Sequence, residues 1–461
     1  MKLATHLKLP SPGRRRLQLA VLVASVSLCG MLGAPVSRSP DWSAAIFDPD
    51  PNHLWNRVNA VLFLRTDRYR TEYGAGAIDL LLWNGTTYLL TGPSHQRALS
   101  LLDEFLRTHA ENQVTDPVKR AWFQRNLWAV FDWSAQIGSD DYRMARQELQ
   151  VRLADILRRL AMTPSQIKSL PDNYAQAVAS GELAKEYDPA HPDRPFLPPD
   201  LLQSRGSWVC IQGDGAPVAK GHVSFASGRS RFLVFLHLPQ GREATLKYIQ
   251  TLWNVDNLWT PNEMEGQAGE LNPQLPQFPV GSEVAMVRQM MLFDRIGELV
   301  PTPITESIQI RVYKTIPVRG SQMNWPGEWD AARKEQDFYE IRLHPEKLFA
   351  GQAGGLQAVG PDDKEFSIFQ TQGKDAFDPP TPLMKEEPIL QRCAVCHAPP
   401  GINSVWSRRE LIKPNPPQRD PDPPYDARWW ETQNTLEWKT DHYDWGLFNG
   451  YWHANTVSGP R

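Results

Sequence analysis

Hydrophobic positions recur every three to four residues through the first part of the chain and every second residue through the middle. Between His95 and Asn112, the residues Leu99, Leu102, Phe105 and Leu106 fall at helical spacing and predict a buried stripe. Asp116-Pro117 then predicts a new helix start, an N-cap acid followed by proline in the first turn. That helix carries Trp122, Trp128, Phe131 and Trp133. Asp141 to Ala161 repeats the period with Met144, Leu149, Leu153, Ile156, Leu157 and Leu160, and Thr163-Pro164-Ser165-Gln166 is a capping box for a fourth helix. Trp55–Arg65 and Ile78–Trp83 add two shorter pieces. Four helices with short connections predict an antiparallel bundle whose core is aromatic.

Past a proline- and aspartate-rich loop, residues 188–200, the period changes to two. Trp208–Ile211, His222–Ala226, Arg231–Leu238, Glu283–Asp294, Glu306–Thr315 and Phe338–Leu343 read as strands. Arg242–Trp253 reads as one helix among them, with Leu246, Ile249 and Trp253 to one side. Met286, Met290 and Met291 lie on one of these strands, where alternation places Met286 and Met290 on one face and Met291 on the other. Beyond Ala350 glycine gives way to charged and proline-rich sequence, including the run Pro414–Pro424, and regular periodicity is weak. The expected architecture is therefore α+β: a helical domain over 39–187, a mostly antiparallel β domain over 198–349, and an irregular C-terminal segment over 350–461.

Composition changes this picture little. With 461 residues, 41% hydrophobic, 22% charged and a net charge of −3, the chain reads as globular and gives no reason to expect nucleic acid as a partner. Forty prolines predict many irregular connections, and seventeen tryptophans predict large apolar contact area. The N-terminus adds a compartment. Arg14-Arg15-Arg16 followed by the apolar run Leu17–Ala34 reads as an export signal over residues 1–38, for the general secretory route. If the run is left uncleaved it becomes an N-terminal membrane anchor. Either outcome predicts a periplasmic or exported protein.

The chemistry sits near the far end, in Cys393-Ala394-Val395-Cys396-His397. Two cysteines three apart followed by histidine is the pattern for covalent haem c. On a helical turn, residues three apart share a face, so both thiols reach one porphyrin edge, and the neighbouring imidazole serves as the proximal iron ligand. A zinc site and a redox dithiol are the alternatives. Zinc requires two more ligands at suitable spacing, and a thioredoxin-like dithiol requires a preceding strand within a βαβ unit. Cys210 reads as a buried small hydrophobe.

Through this motif the chain resembles c-type cytochromes, and Gln391–Val405 with the central strand-rich block looks like large secreted bacterial cytochrome-like proteins. The resemblance implies one covalent haem c, thioether anchors at Cys393 and Cys396, His397 as axial ligand, and single-electron transfer to a redox partner protein. Small soluble members of the family place a distal methionine downstream of the motif, and this chain has none after Met384. His442, in Thr440-Asp441-His442-Tyr443-Asp444, is the first candidate for the sixth position, because neighbouring carboxylates orient a metal-bound imidazole. His453, Met384 and an open site follow. Trp406, Trp429, Trp430, Trp438, Trp445 and Trp452 are candidates to cover the porphyrin, and Arg408-Arg409 to pair with its propionates. The reading is an electron-transfer protein rather than a catalyst. The alternatives are a peroxidase-like haem enzyme with an open distal site, and a secreted binding or scaffold protein with structural haem or none.

Overall fold

The computed structural model describes residues 45–66, 72–74, 86–136, 141–259, 271–272, 274–316, 329–363, 367–370, 377, 385–399, 401–405, 414–415 and 426–457. The export segment at 1–38, the piece Ile78–Trp83, Met384, Trp406 and Arg408-Arg409 lie outside the described residues. Residues 39–461 form one compact unit. Among the described residues no helix is long and apolar enough to cross a membrane.

The helical period is realised as α1 (Leu54–Phe63), α2 (Gly92–Arg107), α3 (Pro117–Gln136), α4 (Arg143–Leu160), α5 (Pro164–Lys168) and α6 (Asn173–Ser180), with the short strands β1 (Arg65–Thr66) and β2 (Glu72–Tyr73) after α1. Asp116 caps α3 by accepting from the backbone N–H of Val118 and Lys119 at 2.8 and 2.9 Å. The capping box of α5 is formed from both sides, Thr163 to Gln166 and back. Helix α3 is buried all round, because it lies between the other helices and the sheet: Trp122, Phe123, Trp128 and Phe131 are all buried. Trp55 stacks on Phe123 at 4.4 Å between centroids. Met144, expected in the stripe of α4, is instead 68% exposed, because it sits in the first turn ahead of the packed face that starts at Leu149.

The sheet contains β3 (Val209–Gly213), β4 (Ser230–His237), β5 (Glu283–Phe293), β6 (Leu299–Tyr313), β7 (Gln336–Leu343) and β8 (Leu356–Val359), antiparallel and adjacent in chain order. Helices α7 (Lys220–Phe225), α8 (Arg242–Trp253), α9 (Trp329–Glu335) and α10 (Pro345–Phe349) interrupt it. A separate pair, β9 (Ser367–Gln370) and β10 (Lys385–Pro388), leads into α11 (Ile389–His397), and β11 (Pro414–Asn415) pairs with β3. The α+β class is as expected. His222–Ala226 is not a strand, however. It forms most of α7, where Ala219, Val223 and Ala226 recur at helical spacing and are buried.

Strand alternation divides the sheet into two faces. The rows Leu233–Val287–Ile308–Ile341 and Phe235–Ala285–Ile310–Tyr339 point into the helical layer and are buried. The rows between them, Phe232–Arg288–Ser307–Arg342, Val234–Met286–Gln309–Glu340 and Leu236–Val284–Arg311–Phe338, lie on the other face. The β5–β6 pairing shifts register between Arg288 and Met291, with the extra residues on β6, while β5 keeps its register against β4 through Met290. Met290 and Met291 are both fully buried in the main core and Met286 is half-buried beside the second apolar cluster, so Met286 and Met290 do not share a surrounding.

The C-terminal segment is not irregular throughout. Helices α12 (Ala427–Thr440) and α13 (Tyr443–Val457) follow α11, with Asp426 capping α12 by accepting from Arg428 and Trp429 N–H. The buried stripe of α13 is aromatic: Trp445, Phe448 and Trp452 join the bundle core, with Phe448 against Phe293 at 4.8 Å. Lys439 on α12 is buried, and its Nζ reaches Asp132 at 3.0 Å and Asp444 at 2.7 Å. Asp132 also accepts from Arg229 at 2.7 Å. Two anions and two cations thus tie α12 and α13 to α3. Gly228, at φ +67°, lets α12 approach, since a Cβ there would lie 2.8 Å from the Lys439 Cβ.

Candidate functional site

Helix α11 carries the cysteine–histidine motif and is seated by its alanines. Leu390, Ala394 and Ala398, spaced four apart, pack with Ala332 and Phe338 in a small apolar cluster beside β7. Small side chains on that stripe bring the helix close to the sheet. Cys393 and His397, also four apart, then face the polar face of the sheet, while Cys396 is exposed. Gln336 on β7 holds the helix end by donating Nε2 to the His397 carbonyl at 2.7 Å. Gln309 on β6 places its Nε2 2.9 Å from the Cys393 Sγ.

His397 is fixed in one tautomer. Its Nδ1 lies 2.8 Å from the Ser404 carbonyl oxygen. A carbonyl only accepts, so Nδ1 carries the proton and Nε2 keeps its lone pair. Ser404 is itself buried and held on both atoms by Arg311, whose guanidinium donates to its carbonyl at 3.0 Å and its hydroxyl at 2.8 Å. The turn Gly401–Ser404 that presents it has Gly401 at φ +56°, where a Cβ would come 2.1 Å from Gln277 Oε1, and the same Gln277 oxygen accepts from Ile402 N–H at 2.7 Å. Burial, the Arg311 cation and the neighbouring His222 together hold the His397 imidazole well below its ordinary range, against the pull of the Ser404 bond. The ring is therefore neutral, as a metal ligand must be. Burial and the Glu340 carboxylate push the Cys393 thiol up, and burial raises Glu340 itself to about 7.

The ring facing His397 belongs to His222 on α7. Their centroids are 5.8 Å apart and their planes differ by 6°. On its other side His222 rests against Phe232 at 5.5 Å. Burial and Arg311 lower its pKa to about 4, so it too is a neutral imidazole. Among the described residues neither the His222 ring nor His397 Nε2 has a hydrogen-bond partner. The motif, the His397 carbonyl clamp and His222 thus meet over the strip Met286–Gln309–Glu340, between the apolar cluster of α8 and β3–β4 and that of α11.

No family model, curated protein or solved structure matches this chain. What the site can do is argued from its own geometry.

The structure brings together Cys393, Cys396 and His397 and separates them from His442. His442 is exposed, with its Nδ1 on the Trp438 carbonyl at 2.5 Å and its ring 3.6 Å from that indole. It lines a cavity of about 830 Å³ with Arg143, Arg146 and Tyr451, to which no motif residue contributes. The neighbouring aspartates do not orient it: Asp444 is engaged with Lys439. His442 is therefore corrected from metal ligand to a helix-junction residue. His453 is exposed on α13. Of the C-terminal indoles, Trp445 and Trp452 belong to the bundle core, and Trp429 and Trp430 pack on each other at 4.6 Å. Cys210 is a free cysteine, half-buried against the main core rather than fully buried. Sequence reasoning missed His222 because Val223-Ser224-Phe225 alternates like a strand. The longer period Ala219–Val223–Ala226 was the signal that identifies the helix.

The residues present fit a c-type haem. Two thiols stand one helical turn apart, and one imidazole has its outer nitrogen locked and its inner nitrogen free. Gln309 Oε1 and Gln336 Oε1 beside the motif are buried without a partner among the described residues. No group of three or more His, Cys, Asp or Glu side chains is gathered there among the described residues, so the donors do not form a protein-only zinc cage.

Proposed function

We propose that the chain is an exported monohaem c protein that passes single electrons to a redox partner protein. Cys393 and Cys396 are its thioether anchors and His397 an axial ligand. The observation that carries this reading is the 2.8 Å bond from His397 Nδ1 to the Ser404 carbonyl. A histidine that holds no metal has no need of a dedicated carbonyl, itself braced by a buried arginine. A proximal ligand does, because the bond to its outer nitrogen sets both tautomer and ring orientation. Bound haem supplies one-electron redox chemistry, at a potential set by the axial ligands and burial.

The chain's own residues supply the setting. The alanine stripe fixes α11 on the sheet, Gln336 holds its end, and Arg311 braces the Ser404 carbonyl that orients the imidazole. Arg14-Arg15-Arg16 with Leu17–Ala34 supports export to the compartment where haem c is attached, with retention as an anchor the second outcome for that segment. The test is expression with haem-c maturation factors and a haem stain after denaturing electrophoresis. The wild type is expected to keep its stain and Cys393→Ala/Cys396→Ala to lose it. An unstained wild-type band would refute the reading.

A further inference from the structure

We infer that His222 is the second axial ligand, so that the site is a closed bis-histidine centre. This rests on the haem c reading above and adds to it the residue that decides between electron transfer and an open reactive site.

Bonds from imidazole nitrogen to a first-row metal are about 2 Å long, so two rings binding one ion from opposite sides stand with centroids roughly 6 Å apart. His222 and His397 stand at 5.8 Å with planes 6° apart. Neither the His222 ring nor His397 Nε2 has a hydrogen-bond partner among the described residues. His222 is also built in. Phe232 backs the ring, Val223 and Ala226 bury the helix beneath it, and the Gly228 N–H closes α7 on the Val223 carbonyl at 2.9 Å. Among the described residues the methionine on this strip is the half-buried Met286, in the strand row next to Gln309. The structure thus sets two rivals for the sixth position on neighbouring elements, and the ring-to-ring geometry selects the histidine.

Two consequences follow. The iron is six-coordinate and low-spin, so carbon monoxide finds no open position. Its potential lies below that of a His/Met centre, because methionine ligation raises it.

The experiment uses the full chain matured with haem, read by optical and electron paramagnetic resonance spectra. Wild type is expected to be low-spin and indifferent to carbon monoxide. His222→Ala should keep its covalent haem on a denaturing gel, turn high-spin and bind carbon monoxide, and recover a low-spin spectrum with added imidazole. His222→Met, which preserves bulk where alanine fails to fold, should stay low-spin with a raised midpoint potential. Met286→Leu should leave the spectrum unchanged. A stained His222→Ala or His222→Met protein whose spectrum and potential match wild type overturns this inference alone, as does a high-spin Met286→Leu. A wild type without haem overturns it together with the reading on which it rests.

Discussion

The two faces of the central sheet use the same strands for opposite ends. Toward the helices, Val287, Ile308, Ile310 and Ile341 are fully buried against an aromatic core, and shape does the work. Toward α11, the alternate positions are Met286, Gln309, Arg311 and Glu340, with two glutamine oxygens left without partners among the described residues. The apolar packing on that side is split into two clusters with the paired imidazoles between them. A strand's period of two is what permits this division: adjacent residues can answer to unrelated demands. Stability is concentrated on one face, and the other carries polar groups whose value lies in what they position.

The sharpest way to break the comparison is to truncate neighbours on β6. Ile310→Ala is expected to lose about 2–5 kcal/mol, the usual range for an aliphatic core truncation, in urea denaturation, with haem attachment retained in the protein that folds. Gln309→Leu, one residue away, should cost under about 1 kcal/mol, since it removes one modest hydrogen bond, yet alter the spectrum of the matured protein. Equal losses of stability from the two variants would erase the distinction between the faces.

A second, intermediate effect depends on pH. Glu431 on α12 accepts from Gly213 and Val218 N–H at 2.6 and 2.9 Å and so anchors the loop that leads into α7. Burial nevertheless raises its pKa from 4.5 to about 7. A carboxyl raised in the folded state favours the protonated form. Its contribution is full below the unfolded value and is lost as pH rises through about 7. The order of magnitude is about 3 kcal/mol, read as a falling unfolding free energy between pH 4.5 and 7.5. Glu431→Gln should flatten that part of the profile; an unchanged slope would remove Glu431 from the account.

A smaller change in stability than that of the core truncation comes at Gly401. A valine there must take a left-handed conformation, at a cost of about 1–3 kcal/mol, and would press on Gln277. The displaced turn moves the Ser404 carbonyl, so the expected signature is a broadened or mixed-spin haem spectrum in a protein that still folds. A native spectrum in Gly401→Val would show that the turn does not position His397.

Much of this was legible in the residue pattern. The capping box at Thr163, the acid–proline start at Asp116 and the alternation of β4, β5 and β7 each act locally, and local chemistry set those elements within a residue or two; β6 begins at Leu299, seven residues ahead of the expected Glu306. The motif placed Cys393, Cys396 and His397 on one helix for the same reason. What escaped was decided at a distance. His222 owes its helix to burial of Ala219, Val223 and Ala226 and its importance to a ring far along the chain. His442 has the sequence neighbours of a good ligand, but Lys439 claims Asp444 and the imidazole is left on Trp438. Helix α13 hid because its apolar stripe is Trp445, Phe448 and Trp452 rather than leucines, and α12 because its buried positions include Glu431, Thr432, Thr435 and Lys439.

The central claim is that the polar face of the sheet and α11 together hold one haem, bound through sulfur. Intact mass spectrometry of the matured, denatured protein tests it most directly. The account predicts a polypeptide heavier by one haem, reverting to its bare mass in Cys393→Ala/Cys396→Ala. A wild-type protein of bare polypeptide mass, obtained alongside a control cytochrome matured normally in the same cells, would contradict it.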